Sequence, residues 1–326
     1  LNPKDWQNGL LDKRPKVVEL VMTIHPSTEK KWKKDYFNLI GNRMMQLYKL
    51  DSVFLLDQTI KWKICMQTHA RTFSSAKKLF HGIVIHYESL KNIESQKKYL
   101  SVLDKCRKRS YNSMTEIKKL KTILNRNKGM WKKMLIITDC TYSMSPYGAE
   151  VALWHLLQDT SLDIKNFAFF NDGDGISDHE KITGNTGGIH YADAKNPQEV
   201  INAIRMVTLL SKGNTDSPEN DAEALIKAMD ETIDYDDVIL IADNNSDIRD
   251  IDLLKKIDHP IRIVLCGVGD QGINYDYIEL AFQTKGSIHT VEKDIFTLVE
   301  AKEGNVFKLD GVKYKIVNGS VVCLNK

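Results

Sequence analysis

Apolar and polar residues alternate with two different periods along this chain. In residues 29–50 and again in residues 91–126, apolar residues recur three and four positions apart, with lysines between them. This spacing is typical of amphipathic helices, so we expect residues 1–128 to form a mostly helical region.

Three stretches outside these helices have other patterns. Residues 1–30 contain three prolines and predict an irregular lead-in. The apolar runs Val53–Leu56 and Ile83–Ile85 fit either a strand or a buried helix. Residues 304–326 carry two apolar runs with Asp-Gly and Asn-Gly turn signals, which predict a small β-hairpin tail.

From residue 130 onwards, short apolar runs alternate with amphipathic stretches. The runs have the length and branched residues of buried strands, whereas the stretches between them have helical spacing. This alternation predicts an α/β domain over residues 130–303, with a parallel sheet covered by helices on both faces. The predicted strands are 134–138, 164–170, 188–192, 238–242, 261–266 and 287–290, and the predicted helices are 147–159, 197–211, 217–230 and 274–284.

Polar oxygens follow the first of these strands. Asp139 comes directly after it, and Thr141 and Ser143 lie two and four positions further on, before the next predicted helix. Carboxylate and hydroxyl oxygens on one loop suit a hard cation such as Mg²⁺. Asp and Ser also favour turns and helix N-caps, so the same three residues are compatible with a purely structural turn.

This loop resembles the Asp-x-Ser-x-Ser signature of von Willebrand factor A domains, with Thr141 in the position of the first Ser. In that family the signature belongs to a metal-ion-dependent adhesion site, which two later loops complete. Both loops are present here in order: residues 213–220, which lead into a helix, and the apolar run 238–242, which is followed by Asp243. The resemblance covers about residues 130–303 and implies a doubly wound, mostly parallel, Rossmann-like sheet with an antiparallel edge strand.

The resemblance also implies which residues hold the cation, either Mg²⁺ or, in its place, Mn²⁺ or Ca²⁺. All of them carry oxygen and follow strand ends: Asp139, Thr141, Ser143 and, through a bound water, Asp243. A further ligand stays open between two residues, and from the sequence Thr215 comes slightly before Glu219. Thr215 matches the more common Thr loop of the family, and Glu219 matches the Asp-Ser-Pro-Glu version found in integrin β subunits.

The function that this resemblance implies is non-catalytic binding of another protein, as an adhesin or as part of a cell-envelope assembly. A Glu or Asp of the partner would complete the coordination of the cation, and Tyr142, Tyr147 and residues 172–187 would set specificity. Two alternatives stay open. In one, the chain is a scaffold whose metal is structural or absent and whose basic N-terminal region makes the contacts. In the other, that region binds nucleic acid.

No set of residues in the sequence supports an enzyme. An Asp after a strand is the nucleophile of haloacid-dehalogenase phosphatases, but Thr141 stands where they carry their second Asp, so the general acid is missing. His179, His190, His259 and His289 have no metal-ligand spacing and no nucleophile beside them. We therefore expect a protein without catalytic activity.

The net charge of +3 hides a strong asymmetry. Residues 1–133 contain 29 lysines and arginines against 11 aspartates and glutamates, whereas residues 134–326 contain 17 against 32. A basic region of this kind suits an anionic surface, such as lipid headgroups or a polysaccharide. Nucleic acid fits less well, because Tyr111 is the only aromatic residue in the basic cluster at 105–121 and no repeat of 30–45 residues is present.

Three features bear on the compartment. The five cysteines form no CxxC pair and leave the redox environment open. No apolar run reaches the ~20 residues of a membrane helix. The chain begins at Leu1 with no signal-like segment, as an exported protein does after its signal is removed and as a truncated chain also does, and bacterial exported proteins carry similar A domains. We therefore expect a protein that is periplasmic, associated with the outer membrane, or extracellular.

Overall fold

The computed structural model describes most of the chain and divides it into two compact units. The first unit comprises residues 1–115, 149–161 and 196–205, and the second comprises residues 116–148, 162–195 and 206–326. The described residues are 13–23, 29–57, 59–141, 144, 163–210, 218–269 and 272–324, and in the helical segments 29–35, 37–38 and 107–118 the description covers the backbone alone.

The first unit contains a three-stranded sheet. Its strands are β1 (Lys13–Thr23), β2 (Lys61–Gln67) and β3 (Gly82–Ser89). The central strand β1 runs parallel to β2 and antiparallel to β3. Alternate residues of β1 are buried in the core of this unit, because successive side chains of a strand point to opposite faces. These residues are Val18, Leu20 and Met22.

This sheet is the main difference from the sequence expectation for residues 1–128. Residues 13–23 form β1, where an irregular lead-in was predicted. The strand escaped prediction because Val17 and Val21, on its half-buried face, are also apolar. The run from Val17 to Met22 therefore shows little of the alternation by which a half-buried strand is recognised.

Helices lie between and after the strands of this sheet along the chain. The ambiguous run Val53–Leu56 is helical, whereas Ile83–Ile85 lies within β3. The helices predicted at 29–50 and 91–126 are confirmed, and the second of them continues from the first unit into the second. The helices are Glu29–Leu50, Val53–Leu56, Phe73–Ala76 and Ile93–Asn127.

The second unit is built on a seven-stranded, mostly parallel sheet flanked by helices. Its strands are β4 (Met134–Asp139), β5 (Ile164–Phe170), β6 (Ile189–Asp193), β7 (Asp237–Asp243), β8 (Ile261–Cys266), β9 (Ser287–His289) and β10 (Asp294–Ile295). They lie in the order β10-β9-β8-β7-β4-β5-β6, and the edge strands β6 and β10 are antiparallel to their neighbours. The predicted Rossmann-like α/β class and its antiparallel edge strand are confirmed.

The central strands are apolar because both of their faces are covered. All six residues of β4 are buried, and so are six of the seven residues of β7.

The Asp221–Glu231 helix begins at Asp221 rather than at residue 217, which leaves Glu219 outside it. The predicted helix at 147–159 lies outside the described residues. The other helices are Pro197–Leu210, which both units share, and Tyr275–Gln283.

The C-terminal segment forms three antiparallel strands where a single hairpin was predicted. They are β11 (Val306–Leu309), β12 (Val312–Val317) and β13 (Ser320–Cys323). Asp310-Gly311 and Asn318-Gly319 make the two turns, and all four residues have positive φ, as type I′ turns require. Ile316 of β12 and Val321 of β13 belong to the same apolar core as the seven-stranded sheet.

The longest described helix, Ile93–Asn127, carries charged residues along its whole length. Among the helices in the described ranges, none is both long enough and apolar enough to cross a membrane.

Candidate metal centre

Two aspartates end neighbouring parallel strands. Asp139 is the last residue of β4, and Asp243 is the last residue of β7. The two strands pair in parallel, with Thr138 opposite Ile241, so their carboxyl ends meet at one edge of the sheet. Both aspartates are almost entirely buried. In open α/β sheets this edge is where ligands bind.

The two carboxylates are held in the same way. The Thr141 amide donates to Asp139 Oδ1 at 2.7 Å, and the Asn245 amide donates to Asp243 Oδ1 at 2.8 Å. In each case a backbone N–H two residues further along the chain holds one oxygen and fixes the side chain. The second oxygen of each, Oδ2, is buried and accepts no hydrogen bond from the residues that the structure describes. Two fixed, buried and unpartnered carboxylate oxygens therefore lie at adjacent strand ends.

Glu219 is brought to the same place by a short extended segment. Its amide donates to the Asp247 carbonyl at 2.9 Å, and its carbonyl accepts the Arg249 amide at 2.7 Å, so the backbone pairs in parallel with residue Ile248. The buried side chain lies among Asp139, Thr141 and Ser246, which affect its pKa. Among the described residues, its Oε2 atom has no hydrogen-bond partner. Glu219 therefore lies in this extended segment and is buried, although the predicted helix at 217–230 had included it.

A fourth carboxylate, Asp221, was not anticipated. It is the first residue of the Asp221–Glu231 helix and is fully buried, and neither of its oxygens has a hydrogen-bond partner within the described part of the chain. The helix amides beside it are capped by a different residue, because Asp250 accepts from Ala222 N at 3.1 Å and from Glu223 N at 2.6 Å. We call Asp139, Glu219, Asp221 and Asp243 the acidic cluster.

The electrostatics of the acidic cluster are unfavourable for the protein alone. Burial, and then the charges of Glu219, Asp243 and Asp221, raise the pKa of Asp139 well above its ordinary value. Burial also raises the pKa of Glu219 to about 7, and burial together with Glu219 raises the pKa of Asp221. Buried charges in proteins are normally paired or bound to metals. The described side chains provide no positive charge to balance the acidic cluster, so a bound cation would stabilise it.

Tyr277 faces the same cluster from the Tyr275–Gln283 helix. Its hydroxyl is buried and none of the described residues bonds with it, and its pKa is raised by burial and by the charges of Asp221, Glu219 and Asp139. The phenol therefore remains neutral, and its O–H is available as a donor to the carboxylates or to a water held between them.

The donor set fits a small, hard cation, because the described members of the cluster offer carboxylate oxygens. Among the described residues, no three His, Cys, Asp or Glu side chains are arranged to enclose a metal ion by themselves. The expected site does not depend on such a trio. Its ligands include the hydroxyls of Thr141 and Ser143, and its second aspartate acts through a water.

The structure brings together four of the residues singled out from sequence, namely Asp139, Thr141, Glu219 and Asp243. Ser143, Thr215, Tyr142 and Tyr147 lie outside the described residues. Asp221 was missed because the predicted helix began too early and placed this residue within its first turns. An acidic residue there is ordinarily exposed and interacts with the helix dipole.

Two further contacts position the loops around the acidic cluster. Asp172, in the turn after β5, is buried between Lys181 and the guanidinium of Arg249, whose Nη2 lies 2.8 Å from its Oδ2. The same Nη2 donates to the Pro218 carbonyl, next to Glu219. The carboxylate of Asp172 therefore forms ion pairs with Lys181 and Arg249. Through its two contacts, Arg249 links the segment that carries Glu219 to the turn after β5.

One histidine does have a nucleophile beside it, contrary to the sequence interpretation. His289 Nε2 lies 2.8 Å from Ser287 Oγ, and His289 Nδ1 lies 2.7 Å from Asp294 Oδ1. Ser287 and His289 are both fully buried, so a substrate has no access to the hydroxyl. Arg126 donates to both oxygens of Asp294, at 2.8 and 2.7 Å. Ser287, His289, Asp294 and Arg126 therefore form an internal hydrogen-bond chain at strands β9 and β10, at the edge of the sheet.

Comparison with known proteins adds no relative to this picture. No protein-family model, no curated protein and no solved structure matches the chain. The functional argument therefore rests on the residues and their geometry.

Proposed function

We propose that this chain is a non-catalytic, metal-dependent protein-binding protein of the von Willebrand factor A type. The observation that carries this proposal is the pair of bare Oδ2 atoms of Asp139 and Asp243 at adjacent strand ends. An apolar or fully hydrogen-bonded side chain would be the more stable choice at such buried positions. Their retention is explained by a divalent cation that neutralises them.

The residues have separate roles in this proposal. Asp139, Thr141 and Ser143 hold Mg²⁺ (or Mn²⁺ or Ca²⁺), and Asp243 orients a water bound to it. Glu219 is a better candidate than Thr215 for the further ligand, because its buried carboxylate lies beside Asp139 and Thr141. Asp221 adds negative charge behind these residues. The bound cation supplies a positive charge and a coordination position that a Glu or Asp of the partner completes.

The surface around the centre sets the choice of partner. Tyr142 and Tyr147 follow the metal-binding Asp139 in sequence, and the turn after β5 is held beside Glu219 through Asp172 and Arg249. We propose that these two loops contact the partner. An adhesin, or a component of an assembly in the cell envelope, fits this arrangement and the expected exported location.

Two measurements test the proposal. Isothermal titration with MgCl₂ and MnCl₂ should show binding to the native chain and none to Asp139→Ala, whereas the exposed-acid control Asp252→Ala should bind normally. Proteins captured on the immobilised chain in Mg²⁺ should be lost in EDTA and on Asp139→Ala. Capture that survives both changes would favour the scaffold alternative, in which the N-terminal region makes the contacts.

A further inference from the structure

A basic loop with exposed aromatic rings connects β2 to β3 in the first unit. Residues 68–81, which we call the basic–aromatic loop, contain Arg71, Lys77 and Lys78 and no acidic residue. All three cationic residues are exposed. The rings of Phe73 and Phe80 are 65% and 57% exposed. Single exposed apolar residues are common, but two large exposed rings in one loop with three exposed cations make this loop both apolar and basic.

Local hydrogen bonds hold the rings in this exposed position. Thr72 and Ser75 form a reciprocal capping box, which starts the short helix Phe73–Ala76. The side chain of Gln67 donates to the Phe80 carbonyl at 2.7 Å and closes the base of the loop. Ala70 is buried and anchors the beginning of the loop. The exposure of the rings therefore results from an ordered conformation of the loop.

One side of each ring is already occupied by the protein. Lys77 Nζ lies 4.5 Å from the centroid of the Phe73 ring. The Phe80 ring rests on Gly82, because a Cβ atom there would lie only 2.8 Å from Phe80 Cζ. The ring edges and one face remain open, and phenylalanine has no polar group for recognising a base. Met66 lies just before this loop in the sequence and is also exposed, so it adds apolar surface.

We propose that the basic–aromatic loop binds the surface of a bilayer that contains anionic phospholipids. Phe73 and Phe80 enter the boundary between headgroups and acyl chains, and Arg71, Lys77 and Lys78 pair with the lipid phosphates. The combination of basic and apolar side chains is what holds proteins at such interfaces. This interaction does not depend on the proposed metal centre, which lies in the other unit.

The test is co-sedimentation of the full chain with lipid vesicles at low salt. Binding is expected to vesicles of phosphatidylcholine mixed with phosphatidylserine, and weak binding to phosphatidylcholine alone. Phe73→Ser/Phe80→Ser should weaken binding about tenfold or more, because two partly inserted rings are lost. Lys77→Gln/Lys78→Gln should weaken it about fivefold for each charge. Both pairs are exposed, so circular dichroism should show an unchanged fold.

Matched controls come from the same unit. Lys97→Gln/Lys98→Gln removes the same charge from the exposed side of the Ile93–Asn127 helix, and Ile93→Ser removes another exposed apolar residue. Both should bind vesicles almost as the native chain does. The proposal is overturned if no variant differs from the native chain, or if the controls lose as much binding. It is also overturned if the loop variants lose binding to single-stranded polyuridylate while no vesicle is bound.

Discussion

The two oxygens of Asp139 have opposite environments, and this leads to a prediction for the residue itself. Oδ1 accepts a hydrogen bond from the Thr141 amide, whereas Oδ2 is buried and has no partner among the residues described. In Asp139→Asn the first bond is kept, and the new amide donates to Glu219. We therefore expect the metal-free variant to be more stable by about 1 kcal/mol, or ~3 °C in melting temperature. The increase in melting temperature that Mg²⁺ gives the native chain should be lost.

Differential scanning calorimetry in EDTA and in Mg²⁺ measures both effects. Asp252→Asn, which changes an exposed acid of the same unit, should alter neither. A lower melting temperature in EDTA together with a normal response to Mg²⁺ would mean that Asp139 has only a structural role.

Glu219 predicts how the stability of the metal-free chain depends on pH. Burial raises its pKa from 4.5 in a free chain to about 7, so the folded state binds its proton more tightly than the unfolded state. The contribution of protonated Glu219 to the free energy of unfolding is complete below pH ~4.5 and is lost as the pH rises to about 7. In EDTA, the free energy of unfolding should therefore fall across this range.

Mg²⁺ should reverse this trend, because metal binding requires deprotonated carboxylates. Urea unfolding at pH 5 and at pH 7.5 measures the difference, and the stabilisation by Mg²⁺ should be larger at the higher pH. A Mg²⁺ effect of equal size at both values would contradict a role for the acidic cluster in metal binding.

At the scale of the elements, Arg249 joins three loops that the sheet brings to one edge. It belongs to the loop after β7, pairs with Asp172 after β5, and donates to the Pro218 carbonyl. Arg249→Gln should free the segment that carries Glu219 and weaken Mg²⁺ binding about tenfold, which is typical for residues that orient metal ligands. Arg249→Lys should be intermediate, because lysine keeps the charge without the planar fork of donors.

Isothermal titration measures these affinities, and Arg262→Gln is the control. Arg262 pairs with Asp237 near the start of β7 and β8, at the opposite end of the sheet. Its loss should leave Mg²⁺ affinity unchanged. If both variants weaken binding equally, the effect comes from general destabilisation rather than from the position of Glu219.

The sheet edge at β9 and β10 gives a second prediction at this scale. Burial alone would raise the pKa of Asp294, but hydrogen bonds from Arg126, His289 and Asn127 lower it to about 2. Asp294→Asn should therefore reduce the free energy of unfolding by about 2–3 kcal/mol, because Arg126 and His289 lose a charged acceptor. Chemical denaturation measures this, and Asp310→Asn, at a more exposed ion pair with Lys293, should cost much less.

For the whole molecule, the sequence was most informative for strands that are buried on both faces of the sheet. Strands β4 and β7 are apolar runs that end in Asp, and β5 and β8 are mostly apolar. The predicted bounds of all four strands agree with the structure to within a residue. The ends of these strands also located Asp139 and Asp243, since parallel strands place their carboxyl ends together. The sheet class and the edge of the candidate site were therefore predictable.

The remaining features depend on contacts between distant segments, which no local pattern records. The extended pairing of Glu219 with Ile248 displaced the start of the next helix, and the burial of Asp221 follows from that change. The hydrogen bond between Ser287 and His289 depends on β9, whose three residues are too short for a clear periodic signal. In both cases tertiary packing, rather than local propensity, decides the outcome.

The C-terminal strands have a consequence for how this unit forms during synthesis. Val321 of β13 donates its amide to Glu279 at 2.7 Å, and Ile316 and Val321 share the core that contains Tyr277. The Tyr275–Gln283 helix therefore stays uncovered on one side until residues 306–323 have emerged from the ribosome. Translation that stops before this point would leave a nascent chain with bare apolar surface, which is a substrate for chaperones and proteases rather than a functional protein.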